Sequence, residues 1–218
     1  VGPLLVLTFA FVTFSLPPYL TLDPARSRVP DPGYAPHYPM LVAHVICGSV
    51  AILVSGFQVW PWFRRRHPAA HRRLGRWYVF AGVLPAGLAG LVVGATSPFG
   101  PVARVSNVML ATLWLITTLI GWRMARRRRF AEHRRWMIRS VALTLSIVLN
   151  RLGGVLLVVL SPRLETSFHG DETLLTQTIA DIGTWLGWTL SLLIAEAWLE
   201  RGRTPRHAEL VSTGGRRA

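Results

Sequence analysis

LVAHVICGSVAILVSGFQVWPWFRRR, residues 41–66, decides the fold. From Leu41 to Phe63 there is no Asp, Glu, Lys or Arg, and then three arginines follow at once. A soluble helix needs a charged face, so it does not run this far without one. A helix surrounded by lipid must do so. At about 1.5 Å of rise per residue, such a run is long enough to cross roughly 30 Å of hydrocarbon.

Working outward, the same pattern recurs. Six apolar segments stand out: Leu4–Leu20, Leu41–Phe63, Trp77–Ala95, Val108–Trp122, Ile138–Leu160 and Gly183–Leu199. The fourth is the shortest and has room to extend at either end. The chain of 218 residues is 51% hydrophobic, and its charges gather between the apolar runs, which excludes an ordinary soluble domain. The expectation is an all-α, polytopic membrane protein, a six-transmembrane-helix bundle over residues 1–200. A basic, disordered tail is expected over 201–218.

The formal net charge is +14, and every basic residue is arginine. In a soluble protein this would suggest nucleic acid. Here the arginines flank apolar segments, so topology explains them and no nucleic-acid partner is expected. The loop after the second segment carries Arg64, Arg65, Arg66, Arg72, Arg73 and Arg76. The loop after the fourth carries Arg123, Arg126, Arg127, Arg128, Arg129, Arg134 and Arg135. The tail adds Arg201, Arg203, Arg206, Arg216 and Arg217, whereas the three other connections hold only Arg26, Arg28, Arg104 and Arg163. The alternation places the basic loops and both termini on the cytoplasmic side, in a bacterial cytoplasmic membrane. Clustered arginines at a membrane surface also attract anionic lipid headgroups, so these loops are candidate lipid contacts.

Finer marks agree with these boundaries. Trp60, Trp62, Trp77, Trp122, Trp136 and Trp198 sit at predicted cytoplasmic ends, where an amphipathic ring favours the headgroup layer. The first segment lacks a basic stretch before it, unlike a secretory signal peptide. Pro17–Pro18 should bend or stop it, and Pro85 should kink the third. Gly90 and Gly94 form a G-x-x-x-G that suits close helix approach. Cys47 is the single cysteine, which excludes an intrachain disulfide and reads as a packing residue.

The two basic loops echo each other. RRRHPAAHRR at 64–73 aligns without gaps with RRRRFAEHRR at 126–135, matching His71 to His133. The second and third helices then read as a hairpin repeated in the fourth and fifth; convergence of two basic loops is the alternative.

Several motifs carry a family resemblance: HVICGSVAILVSGFQ at 44–58, HRRLGRWY at 71–78, HRRWMIRSVALT at 133–144 and WLGWTLSLLIAE at 185–196. From about residue 40 to residue 199 the chain resembles the bacterial predicted-membrane-protein family called domain of unknown function 2306. The resemblance places His44, Gln58, His71, Arg72, Gly75, Arg76, Tyr78, His133, Trp136, Met137, Arg139, Arg151 and Glu196 on the family's recurring positions. Asn150 departs from the more apolar pattern before that arginine. The family name transfers no activity.

Charges inside lipid are costly, so Arg151 and Glu196 are the first functional suspects. Counting along the helices puts His44 and Arg151, with Asn150, towards the outer side. Gln58, Arg139 and Glu196 fall towards the inner side. These two layers suit a haem, a quinone or an anionic substrate. Alternatively, Arg139–Glu196 is a structural ion pair and Arg151 snorkels. A metal site at His67 and His71 is not expected, because Pro68 opposes a helical His67 and no carboxylate or Cys stands nearby. His37, His169 and His207 read as solvated loop residues. No nucleotide-binding loop or hydrolase motif is present.

Three classes of function remain: a structural, lipid-binding or ligand-binding accessory protein, a redox protein holding haem or quinone, and a small carrier using Arg151 and Glu196. The sharpest form of the redox reading is a b-type haem between His71 and His133, with Arg72, Arg73, Arg134 and Arg135 near its propionates.

Overall fold

In a computed structural model, the backbone of residues 2–164 and 171–201 is described. Among these residues the structure is helical and contains no strand. The order is α1 (Gly2–Ser15), α2 (Pro17–Leu20), a 3-10 turn at Pro24–Arg26, α3 (His37–Gln58), α4 (Pro61–Arg66) and α5 (Pro68–Arg76). A π-helical stretch, Trp77–Val83, leads into α6 (Leu84–Ala95). Then come α7 (Pro101–Arg126), α8 (Phe130–Leu164) and α9 (Glu172–Arg201). Of the tail expected over 201–218, Arg201 is the last residue of α9, while residues 202–218, with His207, and the connection holding His169 lie outside the described residues.

Five of these stretches are long and apolar enough to cross a membrane: His37–Gln58, Pro68–Ala95, Pro101–Arg126, Phe130–Leu156 and Thr173–Arg201. The first expected segment, Leu4–Leu20, is shorter in the structure. Its helix stops at Ser15, because Pro17 has no N–H to continue the ladder, and α2 restarts after Leu16. The 14 residues of α1 rise only about 21 Å, less than the hydrocarbon thickness. The second segment starts earlier than expected, at His37, but its helix ends at Gln58, five residues short of Phe63, and α4 restarts at Pro61; the other four reach further than their apolar cores. α7 extends at both ends, as its flanks permit. The arginine loops are largely helical themselves, with α5 running straight into the third segment.

Pro85 acts through its upstream neighbours. A proline at the start of α6 cannot donate, and the ladder before it widens: the Leu84 N–H donates to the Val79 carbonyl, five residues back. The second basic loop instead turns tightly at Arg128, whose φ of 59° is left-handed, and the Arg129 N–H closes the turn on the Met124 carbonyl at 3.0 Å.

Packing is organised in neighbouring pairs: α3 on α6, α6 on α7, α7 on α8, and α8 on α9, with α1 lying against α3. Several of these contacts depend on small residues. Gly82 meets Ala51, so close that a Cβ there would sit 2.9 Å from the Ala51 Cβ. Gly94 lies over the backbone at Asn107 and Val108, and Gly90 faces His44 of α3, so both glycines of the G-x-x-x-G make helix contacts. Gly183 and Gly187, a second G-x-x-x-G, receive Asn150 of α8. Around Tyr78, Val79, Val83 and Trp114 the core closes completely.

Candidate functional site

Arg139 and Glu196 are partners. Arg139 lies early in α8, and Glu196 lies five residues before the end of α9, so both sit near the arginine-rich end. The guanidinium grips the carboxylate with two bonds, Nε to Oε1 at 2.5 Å and Nη2 to Oε2 at 2.8 Å. Arg139 also stands 4.9 Å from the Trp136 ring centroid. One turn further out, Arg135 approaches Glu200 at 3.7 Å, and Arg134 lies over Trp198. These contacts pin α8 to α9. A fork-on-carboxylate pair of this kind leaves neither partner uncommitted, which favours the structural alternative for these two charges.

Gln58 does not join that pair. Its Nε2 donates to the His71 carbonyl at 3.3 Å, and its Oε1 rests over Gly75, so it ties α3 to α5.

On the opposite side, the predicted layer of His44, Asn150 and Arg151 separates into three different contacts. The His44 Nδ1 donates to the Ala86 carbonyl at 2.8 Å, and Gly90 makes room for the ring. Asn150 fills the groove at Gly183 and Gly187. Arg151 is exposed and makes no hydrogen bond or ion pair with any described residue. Depth placed these residues together, but helix face separates them, since 3.6 residues per turn directs each to a different neighbour. His37, expected in solvent, is the first residue of α3 and only 3% exposed. Its Nδ1 donates to Thr96 Oγ1 at 2.7 Å, because the Thr96 proton is already given to the Val92 carbonyl. Its Nε2 is buried without a partner.

His71 and His133 lie at the same, arginine-rich end of the bundle, His71 in α5 and His133 in α8. They lie within electrostatic range of one another, and Arg64 and Arg72 also bear on His71. His133 Nδ1 is 2.9 Å from the Gly121 carbonyl. A carbonyl only accepts, so that nitrogen carries a proton, and in the neutral ring Nε2 is the nitrogen with the lone pair. The Nδ1 of His71 is buried and has no partner. Neither ring sits in a loop: His71 is inside α5, and His133 is in the first turn of α8. Arg134 and Arg135, expected beside this pair, face α9 instead. Arg64, Arg65, Arg66, Arg72 and Arg73 are exposed, as are Arg126, Arg127, Arg128 and Arg129. Of these, Arg129 pairs with Glu132.

The buried centre is polar, and composition did not reveal it. The Tyr78 hydroxyl contacts Ser140 Oγ and Thr144 Oγ1, each at 2.7 Å. Trp114 Nε1 donates to Thr144 Oγ1 at 2.9 Å, and Thr118 reaches Ser140 at 2.6 Å. Tyr78 is wholly buried. The resemblance marked Tyr78, but its partners had no signal beyond the spacing of Ser140 and Thr144, four residues apart on one face of α8. Tyr78 and Ser140 are 62 residues apart, the same spacing as His71 and His133.

Residues 41–199 match the family described as a predicted membrane protein, DUF2306. The chain belongs to the DUF2306 family. No curated protein and no solved structure matches it. For this DUF2306 member, the motif HRRLGRWY contributes His71 and Tyr78, and HRRWMIRSVALT contributes His133, Arg139, Ser140 and Thr144. The two most specific motifs therefore supply both the histidine pair at the basic end and the polar centre beneath it. Among the described residues, no group of three or more His, Cys, Asp or Glu side chains is arranged to hold a metal ion.

Proposed function

We propose that this protein is a b-type haem protein of the membrane, with His71 and His133 as the axial ligands at the arginine-rich end. The observation that carries the reading is the pair of imidazoles itself. Two half-buried rings from different hairpins stand at the same end of the bundle; one is oriented by a backbone carbonyl, and the other has a buried nitrogen with no hydrogen-bond partner among the described residues. Orientation by a carbonyl is the support that a ligating histidine ordinarily has. Arg64 and Arg72 suit two propionates. Haem held this way would supply one-electron transfer. We also read the hairpins α3–α6 and α7–α8 as an internal repeat about an axis along the membrane normal. Residues that meet their own repeat partners, as Tyr78 meets Ser140, belong on such an axis.

Protein purified from haem-replete cells should show a Soret band. His71→Ala and His133→Ala should each abolish it, and His37→Ala should leave it in place. A colourless wild-type preparation would end the haem reading.

A second reading has its own observation. Arg134, Trp198, Leu199 and Arg201 line a hollow of about 390 Å³ on the α8–α9 surface at the basic end. Two guanidiniums beside an indole and a leucine fit an anionic lipid headgroup and the start of its chain. A colourless protein that retains anionic lipid through purification would be an accessory protein of this kind. The carrier reading has no comparable support: the central hydroxyl network is closed on itself, and Arg139 and Glu196 are bonded to each other.

We place the basic loops and the C-terminus in the cytoplasm, with α1–α2 as a short sixth crossing that brings the N-terminus to the same side. The arginine asymmetry supports this. A reporter active only outside the cytoplasm should be silent when fused after Ala218 and active when inserted between Ser167 and Thr173. The reverse pattern would invert the topology.

A further inference from the structure

We infer that the seam between α3 and α6 holds a binding site for a lipid-soluble phenol of the quinol class, whose hydroxyl donates a hydrogen bond to Nε2 of His44. The inference is independent of the haem reading and rests on different residues.

His44 lies seven residues inside α3, about 10 Å from its start at 1.5 Å per residue, within the apolar span. Its tautomer is fixed. Nδ1 stands 2.8 Å from the Ala86 carbonyl, which only accepts, so that nitrogen carries a proton, and in the neutral ring Nε2 has the lone pair. No described residue donates to that lone pair. The Nε2 of His37 is an orphan enclosed by packing, whereas the His44 ring is only partly buried and its Nε2 is not shut in. Hydrocarbon holds no water that could donate instead, so the donor has to arrive through the lipid. A phenolic O–H is more acidic than an aliphatic one and bonds an imidazole nitrogen more strongly, and the ring that carries it is at home in the apolar layer.

The seam has room for such a ring. On one side Gly90 admits the His44 imidazole, and a Cβ there would meet Nδ1 at 3.0 Å; on the other, Ala51 lies against Gly82. Gly48 falls between them, four residues after His44 and three before Ala51, and these spacings put all three on one face of α3. A Cβ at Gly48 nevertheless meets nothing within 4 Å. Two helices that touch at both contacts therefore leave a notch between them, one turn deeper than His44. Gly48 is itself only partly buried, so the notch opens to the surface of the bundle. Bounded by two close contacts, it admits the edge of a flat ring and excludes a branched headgroup, and the ligand's alkyl tail stays in the lipid.

The full chain, isotope-labelled at the histidine nitrogens and held in detergent micelles, would be titrated with decylubiquinol under reducing conditions and, separately, with the oxidised quinone. The Nε2 resonance of His44, assigned by its loss in His44→Gln, reports on the lone pair. A saturable shift of that resonance is expected with the quinol. The quinone has the same tail but no hydroxyl to donate, so it should bind about tenfold more weakly, the loss of one hydrogen bond. Gly48→Leu fills the notch and leaves the bond from His44 to Ala86 intact. It should weaken quinol binding at least about tenfold, while an unmoved His44 resonance in the ligand-free variant shows that the seam is still folded. No saturable shift with the quinol, equal affinity for quinol and quinone, or unchanged binding in Gly48→Leu overturns the site. The measurement is made at His44 and needs no Soret band, so its outcome is separate from that of the haem test.

Discussion

Glu196→Gln is expected to destabilise the bundle by about 2–3 kcal/mol, read as a lowered midpoint of unfolding in detergent. Removing one partner from a buried pair costs about 3–5 kcal/mol, because the other charge is left uncompensated. This pair is only partly buried: the Arg139 side chain is 18% exposed and that of Glu196 is 42% exposed, which sets the estimate below that range. Arg139 would keep its place over Trp136 but lose both bonds to the carboxylate. The double variant Arg139→Gln with Glu196→Gln should recover part of the loss, since neither orphan charge remains. A coupling energy above about 1 kcal/mol is the expected signature of direct contact. Strict additivity would show that the two residues act separately, and the pinning of α8 to α9 would have to come from apolar packing alone.

The pairing of Arg139 with Glu196 was legible because both charges interrupt apolar runs, at matching distances from the basic end. α8 runs away from that end and α9 runs back to it, so residue order gives depth directly. Depth gives no helix face, which is why His44 and Arg151 do not meet: His44 turns to Ala86 on α6, and Arg151 stays exposed with no hydrogen bond to any described residue. The apolar spans were legible for a related reason. Lipid demands an uncharged run of a certain length, and that demand is written residue by residue. The break after Ser15 was marked by Pro17–Pro18, but how much length it removed from the first segment was not.

The least legible part is the stretch Trp77–Val83. Nothing in its composition separates it from an α-helix, and Pro85 announces only that something must give way. The widened turn places Tyr78 inside the bundle, against hydroxyls that belong to α8. His37 was misjudged for a similar reason. It precedes the apolar run that begins at Leu41 and so reads as a loop residue, but Thr96, at the end of a different helix, supplies its partner.

Gly82→Ala should be the most damaging single methyl added to this protein. The new Cβ would lie 2.9 Å from the Cβ of Ala51, 3.0 Å from its Cα and 3.1 Å from its nitrogen. Two of those atoms are backbone, so no rotamer change relieves the clash, and α3 must move away from the π-helical stretch that carries Tyr78. Overpacking of this kind costs about 1–3 kcal/mol. Ala51 is fully buried, so the displacement also opens the core on the far side of the contact. Gly82→Leu adds more atoms to the same gap and should prevent the α3–α6 hairpin from closing. Gly48 is the natural control. It lies inside α3, the helix that Gly82 faces, but a Cβ there meets nothing within 4 Å. Gly48→Ala should therefore gain up to about 1 kcal/mol from helix propensity alone. The same chemical change is thus expected to act with opposite sign at two positions of one hairpin. Ala51→Gly in the Gly82→Ala background removes the closest of the three contacts and should restore part of the stability. Equal melting temperatures for wild type and Gly82→Ala would show that the two helices do not approach as closely as Gly82 and Ala51 require.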